Sequence, residues 1–409
     1  MTLRLLALVS IILISENIHA RNISAVLRIT GDTTSRNDSS QYFVPDRVIP
    51  TAGNSSQQNL ELSGQKKGFN ATATLRNRAR QQARSRQRSF FNELYLDKQL
   101  ARQDISIGRK IISWGVGFGF RPLDVIQQED RRQLYRNTLK GIDLLTLEKF
   151  AETSALSIVW SNPGRGEQRD SHHEESLALK YYQSLETADF HALARYSQRT
   201  RLQVGFGISR VPSDSVEWHA SLLWQQDYRQ RLNRLTFPGA QTLLAQDNPF
   251  VEQRQHHGIQ ALAGLGWTHA SGWGLLGEAW FDETAYSRAQ WHALNALTQQ
   301  QRKLLDSALA NPAAVTGNIA FNRQAFQQNN LLQWNTLLRI SRQGQSFEPS
   351  LELLYTPNDR GWVATAKASY KLDWQQVEAG WRRFGGADAA TWRQLPDDGQ
   401  LFLSWQGSF

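Results

Sequence analysis

The residues in this chain best suited to chemistry are its histidine–carboxylate pairs and its arginine runs. His172-His173-Glu174-Glu175 gathers metal-ligand residue types in one stretch, and His256-His257 repeats the histidine pair. Neighbouring side chains on an extended segment diverge, however, and a zinc site needs its ligands to converge on one ion. Both stretches therefore read as solvated loop, and no metal is expected. The chain has no cysteine, which removes disulfides, thiol catalysis and cysteine-ligated metal centres. No glycine-rich turn leads into a helix with a Gly-Lys-Ser/Thr signature, so no phosphate cradle of the nucleotide-binding kind is present. A hydrolase would need a nucleophile and base within hydrogen-bond reach, and no pattern announces one. The expectation is a protein that is not an enzyme, with no catalytic residues and no cofactor.

The arginines say more. Arg76, Arg78, Arg80, Arg84, Arg86 and Arg88 fall within 13 residues, and Arg121, Arg131, Arg132 and Arg136 follow. Guanidinium groups match carboxylates and phosphates bidentately. Arg80, Arg84, Arg86, Arg131 and Arg132 form a candidate outer-mouth basic cluster, with two readings open. They recruit an anionic solute by electrostatic focusing, or they meet lipopolysaccharide phosphates and solvent.

The net charge is +9 and the pI about 9.8, yet nucleic acid is not an expected partner, because the N-terminus points to export. Met1-Thr2-Leu3-Arg4 is a short basic start, Leu5 to Ile14 is almost wholly apolar, and Ile18-His19-Ala20 offers a cleavage site. This is the pattern of a secretory signal peptide, residues 1–20; its apolar core is too short to span a bilayer as a helix. Removing it takes away Arg4 and Glu16 and leaves the net charge at +9.

Residues 21–409 repeat a period of two. Leu401, Leu403, Trp405, Gly407 and Phe409 alternate with Phe402, Ser404, Gln406 and Ser408. Trp362, Ala364, Ala366, Ala368, Tyr370 and Leu372 alternate with Val363, Thr365, Lys367, Ser369 and Lys371, and similar runs occupy 202–209, 216–225 and 259–268. Alternation means strands with one apolar face. A soluble sandwich shares that code, but three details favour lipid. The runs have the length of about 10 residues that a tilted strand needs to cross a membrane. Tryptophan and tyrosine sit near the ends of the apolar face, as interfacial girdles require. Charges occupy the middle of the other face, where a dry core would not accept them unpaired.

The spacing predicts about 18 strands, near 23–30, 58–65, 69–78, 89–98, 104–112, 141–150, 155–161, 176–185, 189–197, 201–210, 215–225, 257–268, 273–282, 330–341, 346–356, 362–372, 374–384 and 399–409. Short connections alternate with long ones at 31–57, 79–88, 113–140, 162–175, 226–256, 283–329 and 385–398; links near 198–200 and 357–361 are the tight exceptions. Short periplasmic turns and long outer loops give this asymmetry. The fold class is all-β, a transmembrane antiparallel β-barrel. One outer loop changes period: Trp291, Leu294, Leu297, Leu304, Leu305 and Ala308 have helical spacing between Ser287 and Ala310, and Asn311-Pro312 closes the segment. That helix either narrows the channel or caps the rim.

A last strand of alternating apolar residues ending in Phe409 resembles the assembly signal of Gram-negative outer-membrane barrels. The stretch Ile105-Ser106-Ile107-Gly108-Arg109-Lys110, Ser113-Trp114-Gly115, Phe120-Arg121-Pro122-Leu123-Asp124 and Gly141-Ile142-Asp143 is similar to a run in porin-like families that include alginate-export-type barrels. Lys110 and Arg121 stand where that run often has glutamine and asparagine. The resemblance implies passive passage of a solute through a pore in the Gram-negative outer membrane. Its implied partners are outer-membrane lipid, lipopolysaccharide, the barrel assembly machinery and a small hydrophilic solute.

The polar face supplies lumen-lining candidates: Arg76, Lys110, Lys180, Arg195, Glu278, Arg339, Glu352, Lys367 and Arg382. Among all polar-face charges, bases (also Arg28, Arg78 and Lys371) nearly balance acids (also Glu61, Glu93, Asp97, Glu217, Asp282, Glu348 and Glu378). A barrel of this size is wide enough for water, and isolated dry charges cost several kcal/mol each. The expected function is a porin-like channel for small hydrophilic solutes, anionic ones if the arginines act at the mouth. The alternative is a non-conducting surface barrel that binds glycan or a partner through its outer loops.

Overall fold

The computed structural model describes residues 23–45, 48–49, 53–81, 84–129, 134, 139–165, 173–307 and 310–409. The signal-peptide segment 1–20 lies outside them. The described residues form one closed antiparallel barrel of 18 strands. In chain order these are β1 Ile23–Arg36, β2 Gly53–Lys66, β3 Phe69–Arg80, β4 Arg86–Leu100, β5 Gln103–Lys110, β6 Ile142–Phe150, β7 Ser154–Ser161, β8 Ser176–Ser184 and β9 Ala188–Ser197. The second half comprises β10 Arg201–Ser213, β11 Val216–Asn233, β12 Phe250–Thr268, β13 Trp273–Asp282, β14 Trp334–Arg342, β15 Phe347–Thr356, β16 Gly361–Lys371, β17 Gln375–Gly385 and β18 Asp397–Ser408. β1 closes the ring by pairing with both β2 and β18. At the seam Ala25 and Phe409 exchange backbone hydrogen bonds of 3.0 and 2.8 Å. Closure leaves no unpaired strand edge, as a bilayer demands.

Period two becomes two faces. On β18, Leu401 and Leu403 are more than half exposed while Phe402 and Ser404 are buried. Phe206, Leu351 and Trp381 are exposed on the same outer surface. Trp160, Tyr196, Trp334 and Tyr355 flank this belt at one end, and Trp267, Trp273, Phe347 and Trp374 at the other. Such a belt is what hydrocarbon covers, with aromatic girdles at the interfaces. No described helix is long and apolar enough to cross a membrane.

Several strands run further than their spacing predicts. The expected loop at 79–88 shrinks to 81–85, because β3 reaches Arg80 and β4 starts at Arg86. β11 and β12 have 18 and 19 residues, well beyond a membrane crossing, so their hairpin stands above the barrel. Polar residues in register sustain these extensions: outside hydrocarbon, a ladder needs no apolar face.

The helical loop also differs. Helix α1, Arg288–Ser307, is followed by α2, Pro312–Asn322. Asn311-Pro312 therefore opens a second helix rather than closing the first. Asn311 Oδ1 accepts the Ala313 N–H at 2.9 Å, and Pro312 occupies the first turn, where its missing N–H costs nothing. Trp291, Leu294 and Leu297 of α1 pack with Tyr42, Leu232, Tyr286, Leu331 and Trp392 from the outer loops and strand ends. The helix caps the rim.

Candidate functional site: a lumen divided by an inner loop

The segment that enters the lumen is the β5–β6 connection, expected from spacing to be only another outer loop. Leu123, Val125 and Ile126 are at most 3% exposed. They pack against Ile142 and Leu144 of β6, Val159 of β7, Ala178 of β8, Leu193 of β9 and Leu223 of β11. Further round the wall, Phe120 packs with Leu262, Trp280 and Leu337 of β12, β13 and β14. Gly205 on β10 makes room for the loop, since a Cβ there would lie 2.7 Å from Leu123 Cδ2.

The loop's own fold is set by Asp124. Its Oδ1 accepts the Trp114 and Gly115 N–H groups at 2.5 and 2.7 Å, and Ser113 Oγ donates to the same carboxylate at 3.1 Å. Burial pushes the Asp124 carboxyl above its usual range, against the opposing pull of the Gly115 and Trp114 N–H groups and Arg121.

Between this loop and the wall of β14–β18 and β1 lies a cavity of about 1080 Å³. Phe118, Phe120 and Trp280 line one side; Arg28, Arg339, Glu352, Lys367, Glu378 and Arg382 are among the residues on the other. The charged wall is cross-linked. Lys371 Nζ meets Glu348 at 2.7 Å and Lys367 Nζ meets Glu378 at 3.5 Å. Arg382 Nε donates to Thr365 at 3.0 Å, Arg28 Nη2 to Gln406 at 2.6 Å, and the Arg339 guanidinium sits over the Phe118 ring.

The predicted lumen residues separate into three groups. Arg339, Glu352, Lys367 and Arg382 line the cavity. Arg76 and Lys110 point inward elsewhere on the wall: Arg76 donates to Asn59 at 3.1 Å beside Phe90, and Lys110 meets Asp97 at 3.5 Å beside Tyr95. Lys180, Arg195 and Glu278 point inward but meet protein. Lys180 lies against Trp114 of the inner loop. Arg195, 2% exposed, donates to Ser176, Thr200 and Gln203, and Glu278 is 4% exposed beneath the loop. Two charges expected to face water are thus covered, and polar partners satisfy them instead.

The arginine run is wall rather than loose loop. Arg76 pairs in register with Arg88 and Arg78 with Arg86, so these four share one face. It is the face of buried Thr74, opposite exposed Leu75. Arg80 ends β3, Arg84 lies in the turn and Arg86 begins β4; all three are exposed. Arg131 and Arg132 lie outside the described residues. The signal for this ladder was present as Arg-x-Arg-x-Arg on both sides of the turn, itself a period of two.

The histidine–glutamate stretch becomes a rim anchor. Glu174 is 1% exposed and accepts the Arg199 N–H at 3.0 Å, near Arg195; burial raises its carboxyl pKa against the opposing pull of Ser197, Arg195 and Arg199. His172 lies outside the described residues. His256 Nδ1 is 2.6 Å from Asp227, and His257 stacks on Trp224.

Fold, belt and divided lumen together define an outer-membrane β-barrel of porin architecture. Among solved structures the chain is similar to OccAB1 of Acinetobacter baumannii, with TM-score 0.58 and 7% identity over 97% of this chain and 99% of that one. It is similar also to OccK8 (OprE) of Pseudomonas aeruginosa, with TM-score 0.55 and 6% identity over 95% and 98%. For OccAB2 of A. baumannii the values are 0.54 and 8% over 96% and 99%. No protein-family model matches the chain, and no curated protein sequence matches it; the alginate-export resemblance gains no support there.

Proposed function

We propose that the barrel is a passive channel of the Gram-negative outer membrane for small hydrophilic solutes, with a preference for anionic ones. The observation that carries this reading is the roughly 1080 Å³ cavity between the inner loop and a wall lined with charged side chains. Charges at a wet wall keep their hydration, whereas a sealed lumen would have to pair every one. The ladder of Arg76, Arg78, Arg86 and Arg88, continued by Arg80 and Arg84, supports the anionic preference through focusing at the mouth. The same arginines suit lipopolysaccharide phosphates at the rim.

Current through purified protein in a planar bilayer tests the channel. Stepwise insertions with a reversal potential shifted toward the anion are expected. Correct insertion without current would assign the barrel instead to glycan or partner binding through its outer loops. In this reading residues 1–20 direct export and are removed, which N-terminal sequencing of the membrane protein checks. Phe409 serves as the signal to the barrel assembly machinery; its deletion is expected to leave precursor in the periplasm and less heat-modifiable barrel in the membrane.

A further inference from the structure

We infer that Glu278 and His219 form a tether that positions the inner loop and so sets the pore's aperture. The conductance part of this inference rests on the channel reading; the tether itself does not. The loop tip reads Trp114-Gly115-Val116-Gly117-Phe118-Gly119-Phe120. Two successive N–H groups at this tip aim at one carboxylate: Phe118 donates to Glu278 Oε1 and Gly119 to Oε2, both at 2.6 Å. His219 Nε2, from β11, lies 2.8 Å from Oε1. A carboxylate accepts only, so the imidazole donates. Three donors thus converge on a side chain that is 4% exposed, with His219 at 5%.

The pair meets across β12, which lies between β11 and β13, and the residue it crosses is Gly264. A Cβ on Gly264 would overlap the His219 ring and come within 2.9 Å of Glu278 Cγ. The mid-strand glycine is the gap through which two strands reach each other. Apolar contacts fix Leu123 and Phe120 to the wall, but they are non-directional. Glu278 adds direction, because it holds the backbone of Phe118 and Gly119, which line the cavity. Charge-assisted bonds in a covered site are the strong kind.

The chain has no cysteine, so Phe118→Cys supplies a unique thiol at the tip. In that background Glu278→Gln replaces one acceptor oxygen by a donor, and His219→Leu removes the imidazole donor. Labelling by a membrane-impermeant thiol reagent is expected to speed up about tenfold with Glu278→Gln, equivalent to about 1.4 kcal/mol of lost tethering. A smaller rise is expected with His219→Leu, and a rate near the parent with His219→Gln, which keeps a donor. Without the cysteine, the same variants should show noisier open-channel current and admit larger sugars. Heat-modifiable mobility confirms folding; should Glu278→Gln fail to fold, the His219→Leu against His219→Gln contrast decides alone. Labelling and noise unchanged in folded variants would overturn the tether and leave the loop held by apolar packing. Altered labelling in a barrel that carries no current would keep the tether and reject the channel.

Discussion

The two sides of the lumen obey different rules. Along β6–β13 the inward face carries Leu144, Val159, Ala178, Leu193, Leu223 and Leu262, all nearly inaccessible beneath the inner loop. Along β15–β18 and β1 the inward face carries Glu348, Lys367, Glu378, Arg382 and Arg28 around the cavity. The covered side is a small protein core built inside a membrane barrel, and it excludes water to position a loop. The open side keeps its charges wet and cross-linked. An 18-stranded ring thereby encloses a narrower space whose shape is set by one wall and whose field is set by the other.

The largest test is to place a charge on the covered side. Leu193→Asp puts a carboxylate among Leu123, Val159 and Leu223, where an uncompensated charge costs about 3–5 kcal/mol. Refolding into vesicles under urea should show that loss. Ser350→Asp on the open side, in register with Lys367, should refold within about 1 kcal/mol of the parent. Equal cost at both sites would erase the distinction between the sides.

Next comes the outer face, which both sides share. Ala366 lies in register with exposed Trp381 and Leu351, so Ala366→Arg should cost about 2–4 kcal/mol near the bilayer midplane. Lys367→Gln, one residue on, should fold normally. Equal damage would mean that the faces are exchanged, as a one-residue slip would do.

A smaller effect sharpens the loop's fit. Gly205→Val should push Leu123 off the wall, an overpacking cost of about 1–3 kcal/mol. Unit conductance should change while the melting of the outer barrel moves little. Gly31 of β1 faces outward, in register with exposed Leu403, and has nothing near its absent side chain, so Gly31→Ala should leave conductance as it is.

What was legible in the sequence follows the same division. Strand number and sidedness were readable because lipid enforces period two on every strand, as at Leu401–Phe409 and Trp362–Leu372. The covered side was written as well, in adjacent apolar pairs such as Leu144-Leu145, Ile158-Val159, Leu222-Leu223 and Leu337-Leu338, where both faces are apolar at once. A rule that asks only for alternation passes over such pairs. The inner loop was hidden for a different reason: its partners are spread round the ring from β6 to β14, and no local period marks Asp124 or Phe120 as lumen residues. Arg195 and Glu278 read as water-facing because parity gives the direction of a side chain and not what lies over it. Helix α2 was missed because Asn-Pro both ends and begins helices, and the capping geometry decides which.

The smallest effect concerns the field on the open side. The cavity wall pairs Lys367 with Glu378 and Lys371 with Glu348, so it should give little selectivity of its own. Arg80, Arg84 and Arg86 are exposed at the mouth, and their attraction acts through solvent. The Debye length falls from about 10 Å at 0.1 M salt to about 3 Å at 1 M. Reversal potentials should therefore show a weak anion preference at low salt that fades at high salt. Replacing Arg80, Arg84 and Arg86 by glutamine should reduce the low-salt preference and leave unit conductance in 1 M salt unchanged. Arg382→Gln acts differently, because this arginine is 8% exposed and donates to Thr365. Its effect lies within the cavity, where solvent screens less, and should persist at high salt. A preference that ignores salt in every variant would remove the mouth arginines from the field and leave selectivity to the wall.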